Sequence, residues 1–252
     1  MSTRDGFAHG VPYWIAGTHP DPERALAFYG GLFGWEADDR GDYVSCSLRG
    51  RDVAGLVPGD AAAWRTHIWV DDAEATAERA AAAGGRIVTE PFDLAGFGRL
   101  VVLADPGGAV FAAAQPGEHR GAQLVNEPNA WAMSALVMPD PDAAEAFYGS
   151  VFGWQADSFA MGDVEVVMWR LPGFVGGEPE QPVPRDLVAT GFPGEEPGWS
   201  VDFWVDDMDA TVARVPELGG AVLDGPHDLP IGRQTRVADP QGATFSVTRI
   251  GA

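Results

Sequence analysis

Two rhythms of apolar residues alternate along this chain. Residues 11–17 (VPYWIAG) form a short apolar, strand-favouring run. Asp21 and Pro22 then supply a helix N-cap and a first-turn proline, and Leu26, Phe28, Tyr29 and Leu32 recur at helical spacing up to Gly34. Short strands are predicted at 43–48 and 53–57. A second strand-helix-strand series follows: a strand at 66–70, a helix at 73–83 stopped by Gly84-Gly85, and strands at 86–88, 99–104 and 109–114. Asp105-Pro106-Gly107-Gly108 reads as a hairpin turn. Each series is a β-α-β-β-β module.

The whole arrangement occurs twice. AFYGGLFGW at 27–35 returns as AFYGSVFGW at 146–154, WVDDAEAT from Trp69 returns as WVDDMDAT from Trp204, and Asp105-Pro106 returns as Asp239-Pro240. The chain therefore holds four modules in two tandem domains, 8–118 and 131–250, joined by a linker at 119–130. The second copy is longer between its repeated blocks, and the Pro-, Gly- and Glu-rich stretch 176–198 is the natural place for the insertion. That composition disfavours a helix or an inner strand, so a surface loop is expected there, either a solvated excursion or a lid over a pocket.

Composition narrows the partners. Of 252 residues 46% are hydrophobic and 21% charged, as in a globular protein. The formal net charge of −21 opposes nucleic acids and anionic membrane surfaces, which both recruit Lys and Arg. Cys46 is the only cysteine, so an internal disulfide and thiolate-rich metal sites are excluded. No apolar run approaches the roughly 18 residues of a membrane helix, and residues 1–6 lack a signal-peptide pattern. A cytoplasmic location is expected.

FY-x-x-x-F/L-G-W after a first strand, V-D-D opening the second helix, and D-P-x-G in a late hairpin, all twice in order, resemble the vicinal oxygen chelate superfamily. That group includes glyoxalase I, extradiol dioxygenases, fosfomycin-resistance enzymes and bleomycin-binding proteins. The joining segment QPGEHRGAQLVNEPNAW (115–131) further resembles two-domain actinobacterial proteins often labelled hydroxylases or glyoxalase-like antigens. The resemblance implies an α+β fold in which paired modules curl their sheets into incomplete barrels around a cavity. It also implies, in the metal-using members, a divalent ion held by His, Gln or Glu.

The positions that the resemblance assigns to those ligands hold Trp14 and Met133 on the first strands, Arg65 and Ser200 opening the second modules, and Ala112 and Ser246 on the last strands. None is a standard ligand, so neither a metal nor another cofactor is expected. His67 shares a strand face with Arg65 and Trp69, and its counterpart is Asp202. His67 reads either as a general base or ligand anchor, or as a satisfied half-buried histidine. Trp14 and Trp69 read equally as pocket or core, whereas His119 reads as a loop residue. Two functional expectations follow, beside the plain alternative of a stress-related scaffold or antigen with no ligand. The first is a metal-independent binding protein for a hydrophobic or aromatic metabolite or drug, with Trp14, Arg65, His67 and Trp69 at one pocket and Met133, Asp202 and Trp204 at the other. The second is a glyoxalase-like lyase or an oxygenase, with His67, Arg65 or Asp202 giving acid–base or electrostatic help. A monomer or weak homodimer is expected, since the second copy can stand in for a partner subunit.

Overall fold

Each module opens with an apolar strand that an Asp-capped helix turns back. In the computed structural model, residues 6–41, 43–161, 164–176, 184–229 and 231–251 are described. The first domain runs β1 (Pro12–His19), α1 (Pro22–Phe33), β2 (Glu36–Asp39), β3 (Val44–Leu48), β4 (Arg51–Pro58), then β5 (Ala63–Trp69), α2 (Ala73–Ala82), β6 (Arg86–Leu94), β7 (Gly98–Ala104) and β8 (Val110–Pro116). The second runs β9 (Trp131–Met138), α3 (Pro141–Phe152), β10 (Gln155–Met161), β11 (Val164–Arg170), β12 (Leu187–Pro193), then β13 (Gly198–Trp204), α4 (Met208–Glu217), β14 (Ala221–Val222), β15 (His227–Leu229), β16 (Gly232–Ala238) and β17 (Thr244–Ile250). The aspartates that begin the repeated motifs cap the helices. Asp21 accepts a hydrogen bond from the Arg24 N–H at 3.0 Å, and Asp72, Asp140 and Asp207 do the same for Ala75, Ala143 and Ala210.

Within each domain the two modules share one sheet, joined at its centre by their first strands. The orders are β2-β3-β4-β1-β5-β8-β7-β6 and β10-β11-β12-β9-β13-β17-β16-β14, with β15 paired to β16. Among the described residues the edge strands do not pair with each other, so each sheet is an open trough and not a closed barrel. The fold class is α+β with tandem glyoxalase-like domains.

The stretch expected as a loop at 176–198 is corrected by β12. Leu187–Pro193 pairs antiparallel with β11 and parallel with β9, which makes it an inner strand. Its sequence, LVATGFP, is strand-favouring, and its proline lies at the end, where pairing is least disturbed. Residues 177–183 of the predicted excursion lie outside the described residues.

The convex backs of the two troughs face each other, and the helices fill the flanks crosswise. One apolar cluster joins Phe28, Tyr29 and Phe33 of α1 to Phe203, Val215 and Phe245 of the second domain. Its twin joins Ala77 and Ala80 of α2 and Phe111 to Phe147, Tyr148 and Phe152 of α3. Two polar bolts run through these clusters. In one, Trp64 Nε1 donates to Tyr29 Oη at 3.0 Å, Tyr29 donates to Asp239 Oδ2 at 3.1 Å, and His19 Nε2 lies 2.6 Å from the same oxygen. In the other, Trp199 Nε1 donates to Tyr148 at 3.1 Å and Tyr148 to Asp105 Oδ2 at 3.0 Å, with Met138 where the first bolt has His19. The tyrosine of FY and the aspartate of D-P are thus two ends of one interdomain bond.

Gly98 and Gly232, equivalent starts of β7 and β16, have φ of 138° and 146°. A Cβ on Gly232 would lie 2.0 Å from the Arg249 carbonyl oxygen, and one on Gly98 would lie 2.4 Å from that of Gln115. Either Gly→Ala change is expected to cost at least about 1–3 kcal/mol, visible as a lowered denaturant midpoint without loss of secondary structure in the folded baseline.

Candidate ligand cavity in the second domain

The concave faces of the two troughs differ although their backbones match. In the first, the register sets Trp14, His67 and Ala112 side by side across β1, β5 and β8. In the second it sets Met133, Asp202 and Ser246 side by side across β9, β13 and β17. The first row carries an indole where the second carries a thioether.

The first trough is filled. Trp14 is 1% exposed, and His119 lies edge-on against it with ring centroids 4.4 Å apart. Phe97, from the β6–β7 turn, stacks on His119 at 4.4 Å and 18°, and it approaches His67 at 5.8 Å. His67 is buried, and burial, then Arg65, then His119, push its pKa down to about 3. It is therefore neutral at physiological pH. His119 is held down at about 4 by burial and by Arg40. It belongs to the linker by sequence yet serves as an aromatic plug. Arg65 is half-buried opposite Ala16, and burial lowers its pKa. Trp69 packs edge-to-face on Tyr13 at 5.3 Å and tilts against Phe7.

Among the described residues the second trough has no counterpart of this plug. Ile231 takes the position equivalent to Phe97, is 38% exposed, and stands at the border of an open cavity. The cavity measures about 520 Å³, within the usual range for small-molecule sites. Ala135, Ser200 and Ser246 make up the small-residue part of its lining. Trp131, Met133, Met168, Phe192 and Trp204 supply apolar and aromatic walls. Phe159, Val164 and Ile231 are exposed apolar residues that border it. Part of the wall comes from elsewhere in the chain: Phe7, Val11 and Pro12 from the N-terminal segment, and Val125 and Asn126 from the linker. No local signal in the sequence marks these five.

One polar cluster interrupts the apolar wall. Asp202 Oδ1 accepts from Thr248 Oγ1 at 2.7 Å and from Gln234 Nε2 at 3.3 Å. Its remaining surface opens into the cavity, and burial pushes its pKa up to about 7 against those two hydrogen bonds. Of the residues expected at ligand sites, the structure brings Met133, Asp202 and Trp204 together around one cavity. Trp14 and His67 lie in the filled trough, with Arg65 and Trp69 beside it.

The donor sets do not suit a divalent ion. The first row offers one imidazole beside an indole and a methyl. The second offers one carboxylate, already engaged by Thr248 and Gln234, beside a thioether and a hydroxyl. Among the described residues no three His, Cys, Asp or Glu side chains are grouped to hold a metal.

The family model for the glyoxalase-like domain matches this chain twice, at residues 14–114 and 133–248. The chain belongs to the glyoxalase-like family. It is a member of the vicinal oxygen chelate superfamily, built as two tandem glyoxalase-like domains. It is 36% identical to "Putative glyoxylase CFP32" of Mycobacterium bovis, with 99% of this chain and 98% of that protein aligned. It is 34% identical to "Anthracycline biosynthesis protein DnrV" of Streptomyces peucetius, covering 97% and 94%. Among solved structures, the Mn(II)-bound glyoxalase from Novosphingobium aromaticivorans superposes with a TM-score of 0.66 at 19% identity, covering 96% of this chain and 83% of that one. The 2,3-dioxygenase LapB from Pseudomonas sp. KL28 gives 0.65 at 15% identity, covering 97% and 94%. At these identities the superpositions establish a common fold. No helix among the described residues of this glyoxalase-like protein is long and apolar enough to cross a membrane.

Proposed function

We propose that this glyoxalase-like protein binds a flat, hydrophobic or aromatic small molecule in the second domain, without a metal, and carries or sequesters it. The observation that carries this reading is a cavity of about 520 Å³ whose walls are aromatic, aliphatic and thioether groups around one polar cluster. Indole and phenyl faces stack on planar ligands, and methionine adapts to irregular ones. The name of the Streptomyces relative, which refers to anthracycline biosynthesis, fits a planar polycyclic ligand. The first domain would serve as scaffold, its own trough closed by Trp14, Phe97 and His119. Because the backs of the two troughs cover each other within one chain, the reading needs only a monomer, working in the cytoplasm.

A second reading, a lyase or oxygenase acting on a small metabolite, draws on Asp202. A carboxyl group pushed up to about 7 in an apolar cavity can take and return a proton near neutral pH.

Trp131 and Trp204 border the cavity, so tryptophan fluorescence reports on its contents. A panel of planar polycyclic compounds is expected to produce saturable quenching with one site per chain, reduced in amplitude by Trp204→Phe. A flat response across the panel would overturn the proposal.

A further inference from the structure

The charge pattern of the cavity narrows the ligand further, on the assumption that the binding reading above holds. Asp202 is the only ionisable side chain among the described residues that border the cavity; no Lys, Arg or His joins them. Only Oδ1 is satisfied, by Thr248 and Gln234; no described residue donates a hydrogen bond to Oδ2. Among the described residues, the groups beside this carboxyl on neighbouring strands are neutral: Met133 on β9, Gln234 on β16, and Ser246 and Thr248 on β17.

A carboxylate in apolar surroundings without a counter-charge is costly, and none of the described residues bordering the cavity is a cation that could offset it. An anionic ligand would add repulsion. An uncharged ligand would leave the carboxyl to its own balance of burial and hydrogen bonds. A ligand cation would instead hold it ionised and meet the one free oxygen with a charge-assisted hydrogen bond. The first domain has neutral His67 at the equivalent place, so this property belongs to the open trough alone.

We infer that the cavity selects amines: molecules with a flat hydrophobic body for the Trp204 and Met133 walls and a protonated amino group for Asp202 Oδ2. Ionisation of Asp202 rises as pH rises through neutrality, so binding of a permanently protonated amine strengthens in the same direction.

The test uses three anthraquinones that differ only at the end of one short alkyl arm, which carries an ammonium, a hydroxyl or a carboxylate. Their affinities for the full chain are measured by tryptophan fluorescence from pH 5.5 to 8, where an aliphatic amine stays protonated. At pH 8 the ammonium compound is expected to bind about 10-fold or more tighter than the hydroxyl compound, and the carboxylate compound weakest. That preference is expected to shrink at pH 5.5 and to vanish in Asp202→Asn, which retains an acceptor for Thr248. Equal affinities for all three, a preference for the carboxylate, or an ammonium preference untouched by Asp202→Asn or by pH would overturn the inference while leaving the binding reading intact. Failure of all three to bind would overturn both. The comparison of probes in the unaltered protein stands even if the variant does not fold.

Discussion

Asp239→Ala is expected to destabilise the protein by about 3–5 kcal/mol, because it leaves partners buried without their counterpart. His19 and Asp239 side chains are both wholly inaccessible, and Tyr29 donates to the same carboxylate oxygen. Asp239 Oδ1 also accepts from the Gln241 and Ala243 N–H groups at 2.8 and 2.9 Å, which shape the β16–β17 hairpin. For a domain pair of this size the midpoint of thermal unfolding should fall by roughly 10 °C. Asp105→Ala, in the twin bolt with Met138 in place of histidine, should cost less. The pH dependence follows from the carboxyls. Burial alone would raise Asp239, but hydrogen bonds from His19, Gln241 and Ala243 outweigh it and hold its pKa below the ordinary value. A depressed carboxyl stabilises the fold above its unfolded pKa of about 3.9, and that contribution disappears as pH falls through the lower folded value. Asp105 has no histidine partner, and burial leaves its pKa raised. Acid unfolding followed by circular dichroism should therefore show a shallower loss of stability below about pH 4 in Asp239→Asn than in the parent.

Ala135→Trp is expected to weaken binding of any planar ligand by at least about 100-fold while leaving the fold intact. Ala135 borders the cavity from β9, opposite Ser200 on β13 and Thr190 on β12. An indole there projects into open space, so it fills the cavity without overpacking the core, as Trp14 does in the first trough. The matching experiment is Trp14→Met, which imitates the second trough. Because Phe97 and His119 still fill the space around residue 14, that change should not create a second site of comparable affinity. Both variants are read by titration against the same polycyclic probe and by thermal unfolding.

The module rhythm is legible in the sequence because each strand and helix writes its own period. A capping aspartate at each start and a glycine at or just past each end then mark the limits of the helices. Edge strand β2, Glu-Ala-Asp-Asp with all four residues exposed, carries no apolar alternation and leaves no such signal. The strand β12 is masked by prolines around it, since its place is settled by pairing on both sides. Met133, Asp202 and Trp204 could be assigned to one inward face because strand alternation is local. The filling of the first trough could not be read this way. It depends on Phe97 and His119 arriving from a turn and from the linker, and their contacts with Trp14 are long-range. The same holds for the Tyr29–Asp239 bond, whose partners are 210 residues apart and whose aspartate reads locally as a turn residue.

The proposed binding site is the open trough of the second domain, working without a metal. Isothermal titration of the full chain with a planar polycyclic amine, before and after exhaustive chelation with EDTA, tests it most directly. One ligand per chain is expected, with an affinity that chelation does not change. Two ligands per chain, or binding that disappears with EDTA and returns with a divalent ion, would contradict it.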